Sequence, residues 1–276
     1  MISSMIDNTG RFAIITGACG LLGQEHARAL LEINTDVVLT DIDIHSGKAL
    51  CSTLRGEFPD RQIVYFDMDI TSETSIELTI NQLSSQGIEI DILINNAALD
   101  PKVSGKKGLE NGSRLENFSV SSFEKEVDVG LIGAILCCKH FGRQMAERGF
   151  GIILNVASDL SVIAPNQSIY RQHGVPKVGQ PMKPVSYSVI KAGMIGLTRY
   201  ISTYWAEQGV RCNAVSPGGV ENGQSSDFIK NLSKLIPLGR MAQKHEYRGV
   251  IKFTCSDMST YMTGQNIVVD GGRSVW

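Results

Sequence analysis

The chain has 276 residues, 42% of them hydrophobic, with 26 basic side chains against 28 acidic ones. That length can bury a sizeable core in one large α/β domain or two small ones. A formal charge of -2, with both signs mixed along the chain, excludes the basic stripe of a nucleic-acid or membrane-surface protein and favours a small-molecule substrate.

Met1 to Gly10 is polar and lacks the charged start, apolar centre and cleavage site of an export signal. No apolar run approaches the roughly 20 residues that cross a bilayer. The expectation is a soluble cytoplasmic protein with neither a membrane nor a nucleic-acid partner. Cys19, Cys51, Cys137, Cys138, Cys212 and Cys255 form no CxxC and have no His at ligand spacing. They read as reduced thiols, with no metal site.

The first strand, Phe12–Thr16, runs through Thr16-Gly17-Ala18-Cys19-Gly20-Leu21-Leu22-Gly23 into a helical segment, Leu22 to Glu32. Glycines in such a turn let backbone N–H groups approach a pyrophosphate, and the helix N-terminus adds partial positive charge. The second strand, Val37–Thr40, delivers Asp41 about 25 residues after Gly17. An acid there accepts hydrogen bonds from both adenosine ribose hydroxyls and repels a 2′-phosphate. No Arg or Lys stands in the turn or just after Asp41, so NAD is favoured over NADP.

The third strand is Ile63–Phe66, followed by a helix over Ser72–Ser85, a fourth strand Ile90–Ile94 and a long helix over Ser121–Glu147. The fifth strand, Ile152–Val156, ends in Asn155-Val156-Ala157-Ser158, which sets Ser158 at the C-terminal edge of the sheet, where open α/β folds bind ligands. In the next helix, Val185–Gln208, Tyr187 and Lys191 stand four apart and share a face. A nearby ammonium favours the phenolate, turning a phenol of pKa about 10 into a usable acid/base near neutral pH. The sixth and seventh strands are Val210–Val215 and Ile267–Val269. Continuous apolar strands separated by helices predict a doubly wound parallel α/β (Rossmann) sheet of about seven strands in a single domain over residues 1–276.

Two stretches break the alternation: Pro101 to Asn117, rich in Gly and Lys, and Asp159 to Pro184. Long loops in a compact domain are commonly functional.

These residues resemble the short-chain dehydrogenase/reductase family, from Arg11 nearly to the C-terminus. The motifs are the glycine turn, Asp69-Ile70, Asn95-Asn96-Ala97-Ala98, Ser158, the Tyr187/Lys191 pair, Ser216-Pro217-Gly218-Gly219-Val220 and Val269-Asp270-Gly271-Gly272. The resemblance implies that Tyr187 is the general acid/base, that Ser158 hydrogen-bonds the substrate oxygen, and that Lys191 binds the nicotinamide ribose and lowers the tyrosine pKa. It implies a cofactor site of Gly17, Cys19, Gly20, Leu21, Leu22, Asp41, Asp69, Ile70, Asn96, Ala97, Ala98, Tyr187, Lys191, Pro217, Gly218 and Val220. Asp69 and Ile70 would hold the adenine, Asn96 and Ala97 the adenosine ribose side, and Pro217, Gly218 and Val220 the nicotinamide. The cofactor then carries the hydride between a secondary alcohol and a ketone.

The chain departs from that pattern twice. Gly130, in Val129-Gly130-Leu131-Ile132-Gly133, stands where most members have an asparagine that holds a relay water behind the lysine. The turn's Gly-x-x-Gly-x-x-Gly spacing resembles longer members acting on nucleotide sugars, although the chain ends soon after Gly272 as the short members do.

The segment 159–184 is longer than in ordinary short members and carries Asn166, Gln167, Arg171, Gln172, His173, Lys177 and Lys183. With the substrate loop 221–235 it is expected to form a lid over a hydroxyl-rich or anionic substrate. Short members with this insertion and with Ser-Pro-Gly-Gly-Val resemble those of bacterial surface-sugar synthesis, which implies a sugar or sugar derivative. Two other readings stay open: a non-catalytic dinucleotide sensor or scaffold, favoured by Gly130, and a nucleotide-sugar epimerase or dehydratase with tightly held NAD. The resemblance implies a homotetramer, or a homodimer, built on the two long helices. An apolar Val275-Trp276 end fits burial between subunits.

Overall fold

The computed structural model describes residues 5–99 and 113–276. Seven strands, β1 (Phe12–Thr16), β2 (Asp36–Asp41), β3 (Ile63–Asp67), β4 (Ile92–Asn95), β5 (Gly151–Val156), β6 (Val210–Pro217) and β7 (Asn266–Val269), form one sheet in the order β3-β2-β1-β4-β5-β6-β7. Every pairing is parallel. The order reverses between β1 and β4, the switch point beside which doubly wound sheets open a crevice.

Alternate side chains of each strand feed opposite faces, as the period of two requires. On one face Ala13, Ile15, Val37, Leu39, Ile92 and Ile94 pack with α1 (Gly23–Leu31), α2 (Ile44–Glu57) and α7 (Arg248–Thr254). On the other, Ile14, Val38, Leu93 and Ile153 pack with α3 (Glu73–Ser85), with α4 (residues 120–148) and with α5 (Val185–Tyr204). A final helix, α6 (Ser226–Ser233), lies in the segment expected to cover substrate.

The sheet follows the sequence expectation, with local differences. The fourth strand begins at Ile92 rather than Ile90: ladder pairing starts at Ala13 opposite Ile92, while Asp91 is used to accept the Phe12 N–H at 3.1 Å. The helix expected to reach Gln208 stops at Tyr204, and the chain turns through a short 3₁₀ segment to Gly209 at φ 77°. Within α4, π turns at Asp128–Ile132 and Cys138–Gly142 interrupt three α-helical pieces. Helix α2 was not among the expected helical segments; Asp43 caps it by accepting from Ser46 N at 3.0 Å.

Most of the expected Pro101–Asn117 loop lies outside the described residues, and its end, Leu115–Asn117, is a 3₁₀ turn. The six cysteines are free thiols; five are buried and Cys19 is half-buried. No helix among the described residues is long and apolar enough to cross a membrane.

Candidate active site

Parallel strands end on the same side, so the loops after β1, β2, β3, β4, β5 and β6 converge on one cavity of about 1160 Å³. Gly17 adopts φ +60°, and a Cβ there would lie 2.7 Å from Ala97 Cα, so only glycine lets the turn press against the end of β4. Asn96 locks that approach by donating from Nδ2 to the carbonyls of Thr16 and Gly17 at 3.0 and 2.9 Å. Thr16 Oγ1 in turn accepts the Asn96 and Ala97 N–H groups. Helix α1 begins with no side-chain cap, and Gly20, Leu21 and Leu22 line the cavity at that end. Gly20 N and Gln24 N are used within the turn, by the Gly17 and Gly20 carbonyls, and the helix N-terminus offers an anion its partial positive charge.

Asp41 closes the turn from β2. Its Oδ2 accepts the Cys19 N–H at 3.0 Å and its Oδ1 the Asp43 N–H at 3.1 Å. Burial, reinforced by the Asp41 carboxylate, pushes the Cys19 thiol up to about 12, so this cavity-lining cysteine stays protonated. Asp69 accepts from Thr71 N and Oγ1, shaping the turn that leads from β3 to α3. These groups leave Met68, Asp69 and Ile70 on the cavity wall.

At the other end stand Ser158, Tyr187 and Lys191. Lys191 is 6% exposed and donates from Nζ to the Val156 carbonyl at 2.8 Å, which ties α5 to the end of β5. Ser158 Oγ donates to Asp159 Oδ1 at 2.9 Å and accepts the Leu160 N–H at 3.2 Å. Asp159 itself takes Arg273 Nη1 on Oδ2 at 2.6 Å, and both partners are buried. Asp270 holds the turn carrying Arg273 by accepting from Gly272 N and Ser274 N. A buried amide chain, Asn95 to Asn155 to Thr198, ties β4, β5 and α5 together at 2.8 and 2.9 Å.

All sixteen cofactor positions expected from the sequence line this cavity together with Ser158. Of the insertion's polar side chains, Arg171, Gln172, His173 and Lys183 line it; Asn166, Gln167 and Lys177 do not. Ile169 packs with Leu232, Ile236 and Met241, and the Tyr170 and Phe228 rings lie 5.5 Å apart, so insertion and substrate loop share a small apolar core. The Asp159–Arg273 pair was missed by sequence reasoning; its only signal was an acid immediately after Ser158. Gly130 lies in the first π turn, and a Cβ there would meet Ile190 Cγ2 at 2.7 Å. Ile190 therefore fills the space beside Gly130 with hydrocarbon.

Away from the cavity, ligand-type atoms of Glu73, Glu77 and His140 lie within 4.8 Å of one another. Glu73 is already bonded by Lys139 and His140 in an exposed ion-pair cluster.

Residues 17–274 match the family described as Enoyl-(Acyl carrier protein) reductase. The chain belongs to the short-chain dehydrogenase/reductase family. It is 28% identical to cis-4-hydroxycyclohexanecarboxylate dehydrogenase of Sinomonas cyclohexanicum, covering 95% of this chain and 96% of that one. It superposes on a gluconate 5-dehydrogenase from Burkholderia cenocepacia in complex with NADP and tartrate, with TM-score 0.86, 25% identity and full coverage of both chains (100% each). A short-chain dehydrogenase from Leptospira borgpetersenii with bound NAD+ gives TM-score 0.80 and 30% identity over 100% of this chain and 96% of that one. Membership makes this chain an NAD(P)-dependent oxidoreductase acting on CH–OH groups.

Proposed function

We propose that this protein prefers NAD(H) and interconverts a secondary alcohol and a ketone on a polar, hydroxylated substrate, a sugar or sugar derivative. The observation that carries the reading is that one cavity joins Ser158, Tyr187 and Lys191 to the glycine turn and Asp41. The residues fit a dinucleotide: Gly17 permits the close turn, α1 offers an uncapped N-terminus, and Asp41 stands at the end of β2. A bound nicotinamide supplies the hydride donor or acceptor. Tyr187 takes the alcohol proton during oxidation and returns it during reduction, while Ser158 hydrogen-bonds the same oxygen. Lys191 fixes α5 against β5 and places positive charge behind the tyrosine. The two substrate segments cover the reacting carbon and exclude water.

NAD preference rests on Asp41 with Ile42 and Asp43 beside it, which give a 2′-phosphate repulsion and no cation. Two of the similar solved structures hold NAD+ and NADP respectively. A polar substrate is supported by Arg171, Gln172, His173 and Lys183 on the cavity wall, and by the hydroxy acids named for two similar dehydrogenases. Asp159–Pro184 and Glu221–Leu235 act as its lid within one domain. Titrating NADH and NADPH against the protein, then offering keto- and hydroxy-sugars, tests the reading. Tighter NADH binding with turnover of polyols supports it, and turnover of apolar ketones alone overturns the substrate class.

The chain is proposed to assemble as a homotetramer and to work in the cytoplasm. Exposed Ile132 and Ile135 on α4, and Val189, Tyr200 and Tyr204 on α5, give both long helices an apolar face. Val275 and Trp276 are exposed as well, and the Trp276 indole N–H donates to the Leu235 carbonyl at 3.0 Å, placing the C-terminus against the substrate loop. Sedimentation at monomer mass would refute the assembly.

A further inference from the structure

We propose that Lys183 is a second cation acting on the Tyr187 phenol, contributed by the segment between Ser158 and α5. The inference rests on the reading of Tyr187 as the general acid/base. Lys183 Nζ lies 3.7 Å from the Tyr187 ring centroid, whereas Lys191 Nζ lies 5.9 Å from it. A phenol oxygen lies in the ring plane just past the ring edge, so a cation on the face stands within the roughly 4–6 Å at which positive charge favours phenolate.

The backbone holds Lys183 in place. Its N–H donates to Gln167 Oε1 at 2.8 Å, and Gln167 Nε2 donates to its carbonyl at 3.4 Å. Pro184 then fixes the entry into α5, which begins one residue later. Gln167 does not line the cavity, yet its clamp explains why this part of the insertion is built as it is: it sets a lysine over the tyrosine.

Lys183 adds its charge to that of Lys191 from the covering segment. Lys191 is buried and gives a hydrogen bond to the Val156 carbonyl. Between α4 and α5 the space beside Gly130 is occupied by Ile190, so that flank of α5 is apolar. Among the described residues, the other charged or titratable side chains of the substrate end are Asp159 with its partner Arg273, and Tyr170, Arg171, His173 and Asp227 from the two covering segments.

The test follows the ultraviolet absorbance of the phenolate in the protein without cofactor, taking wild type minus Tyr187→Phe to isolate one tyrosine among seven. The same difference is measured with Lys183→Met, Lys183→Gln and Lys183→Arg. The midpoint is expected to rise by about one pH unit in the Met and Gln variants and to stay near wild type in the Arg variant. The acid limb of kcat/KM for alcohol oxidation should move with it. That is about a tenfold loss below the limb, recovered above it, with NADH affinity unchanged. An unmoved midpoint overturns the proposal. So does a pH-independent loss carried by KM for acidic substrates alone, which would make Lys183 a substrate-carboxylate group. A wild type without turnover on any alcohol would instead defeat the functional reading, while the phenolate titration would still decide the role of Lys183.

Discussion

Arg273 and Asp159 stand 114 positions apart in sequence and meet in a buried ion pair at 2.6 Å, directly beside Ser158. The pair joins the turn after β7 to the end of β5, and the Ser158 hydroxyl donates to its carboxylate. Asp159 therefore sets where the Ser158 proton points before substrate arrives.

Removing one member strands the other as an unpaired buried charge. Arg273→Leu or Asp159→Leu is expected to destabilise the fold by about 3–5 kcal/mol, and the double variant by less than the sum. Urea denaturation of the four proteins measures the coupling; additive losses would show that the pair is not a unit. Asp159→Asn keeps the shape but alters the partner of the Ser158 hydroxyl, and should lower kcat more than it raises KM.

A pH prediction comes from His26, buried in α1 against the cofactor turn. Burial pushes its imidazole from 6.5 down to about 4, a shift the Asn96 side chain partly opposes. The unfolded chain therefore binds a proton more readily than the folded one between those values. His26 contributes nothing adverse above pH about 6.5; stability falls as pH drops through the window toward 4, by about 3 kcal/mol from this group, and levels off below it. Chemical denaturation at stepped pH should show a smaller acid loss in His26→Leu than in wild type, and an identical loss would remove His26 from the account.

Gly130 and Ile190 make a matched pair. Gly130→Asn should cost about 1–3 kcal/mol, because its Cβ would collide with Ile190 Cγ2. Ile190→Ala in the same chain should recover most of that loss in a thermal melt. If Gly130→Asn alone is neutral, Ile190 is not what excludes an asparagine.

The strands were legible because each is a short apolar run, buried on both faces in β1, β2, β4, β5 and β6 and half-buried in the edge strands β3 and β7, and the glycine turn, Asp41 and the Tyr187/Lys191 spacing each carry a local signature. Ladder pairing, not propensity, fixes where β4 begins, so the two residues before Ile92 looked like strand. Asp159 with Arg273, and Asn95 with Asn155 and Thr198, arise from elements brought together only by the sheet order. No local window shows such partners. The π turns in α4 were equally hidden, since they keep the apolar helix face that the sequence displays.

Asp41 is expected to decide between the cofactors. Asp41→Ser removes the acceptor of the Cys19 N–H and the carboxylate that opposes a 2′-phosphate. NADH affinity should fall about tenfold, a loss of about 1.4 kcal/mol, while NADPH binds better than it does to wild type. Fluorescence titration with both nucleotides measures this, and parallel losses for both would assign Asp41 to the turn alone.

Ser158, Tyr187 and Lys191 are proposed to act on a substrate alcohol or ketone beside a nicotinamide held at the β1 turn. NADH binding and turnover by wild type and Tyr187→Phe in the same titration test this most directly. NADH affinity should be unchanged in the variant, with turnover lost by about a hundredfold or more. Tight NADH binding by both proteins, with no wild-type turnover across a panel of hydroxy- and keto-sugars, sugar acids and simple alcohols, would contradict it and leave a dinucleotide-binding protein without this chemistry.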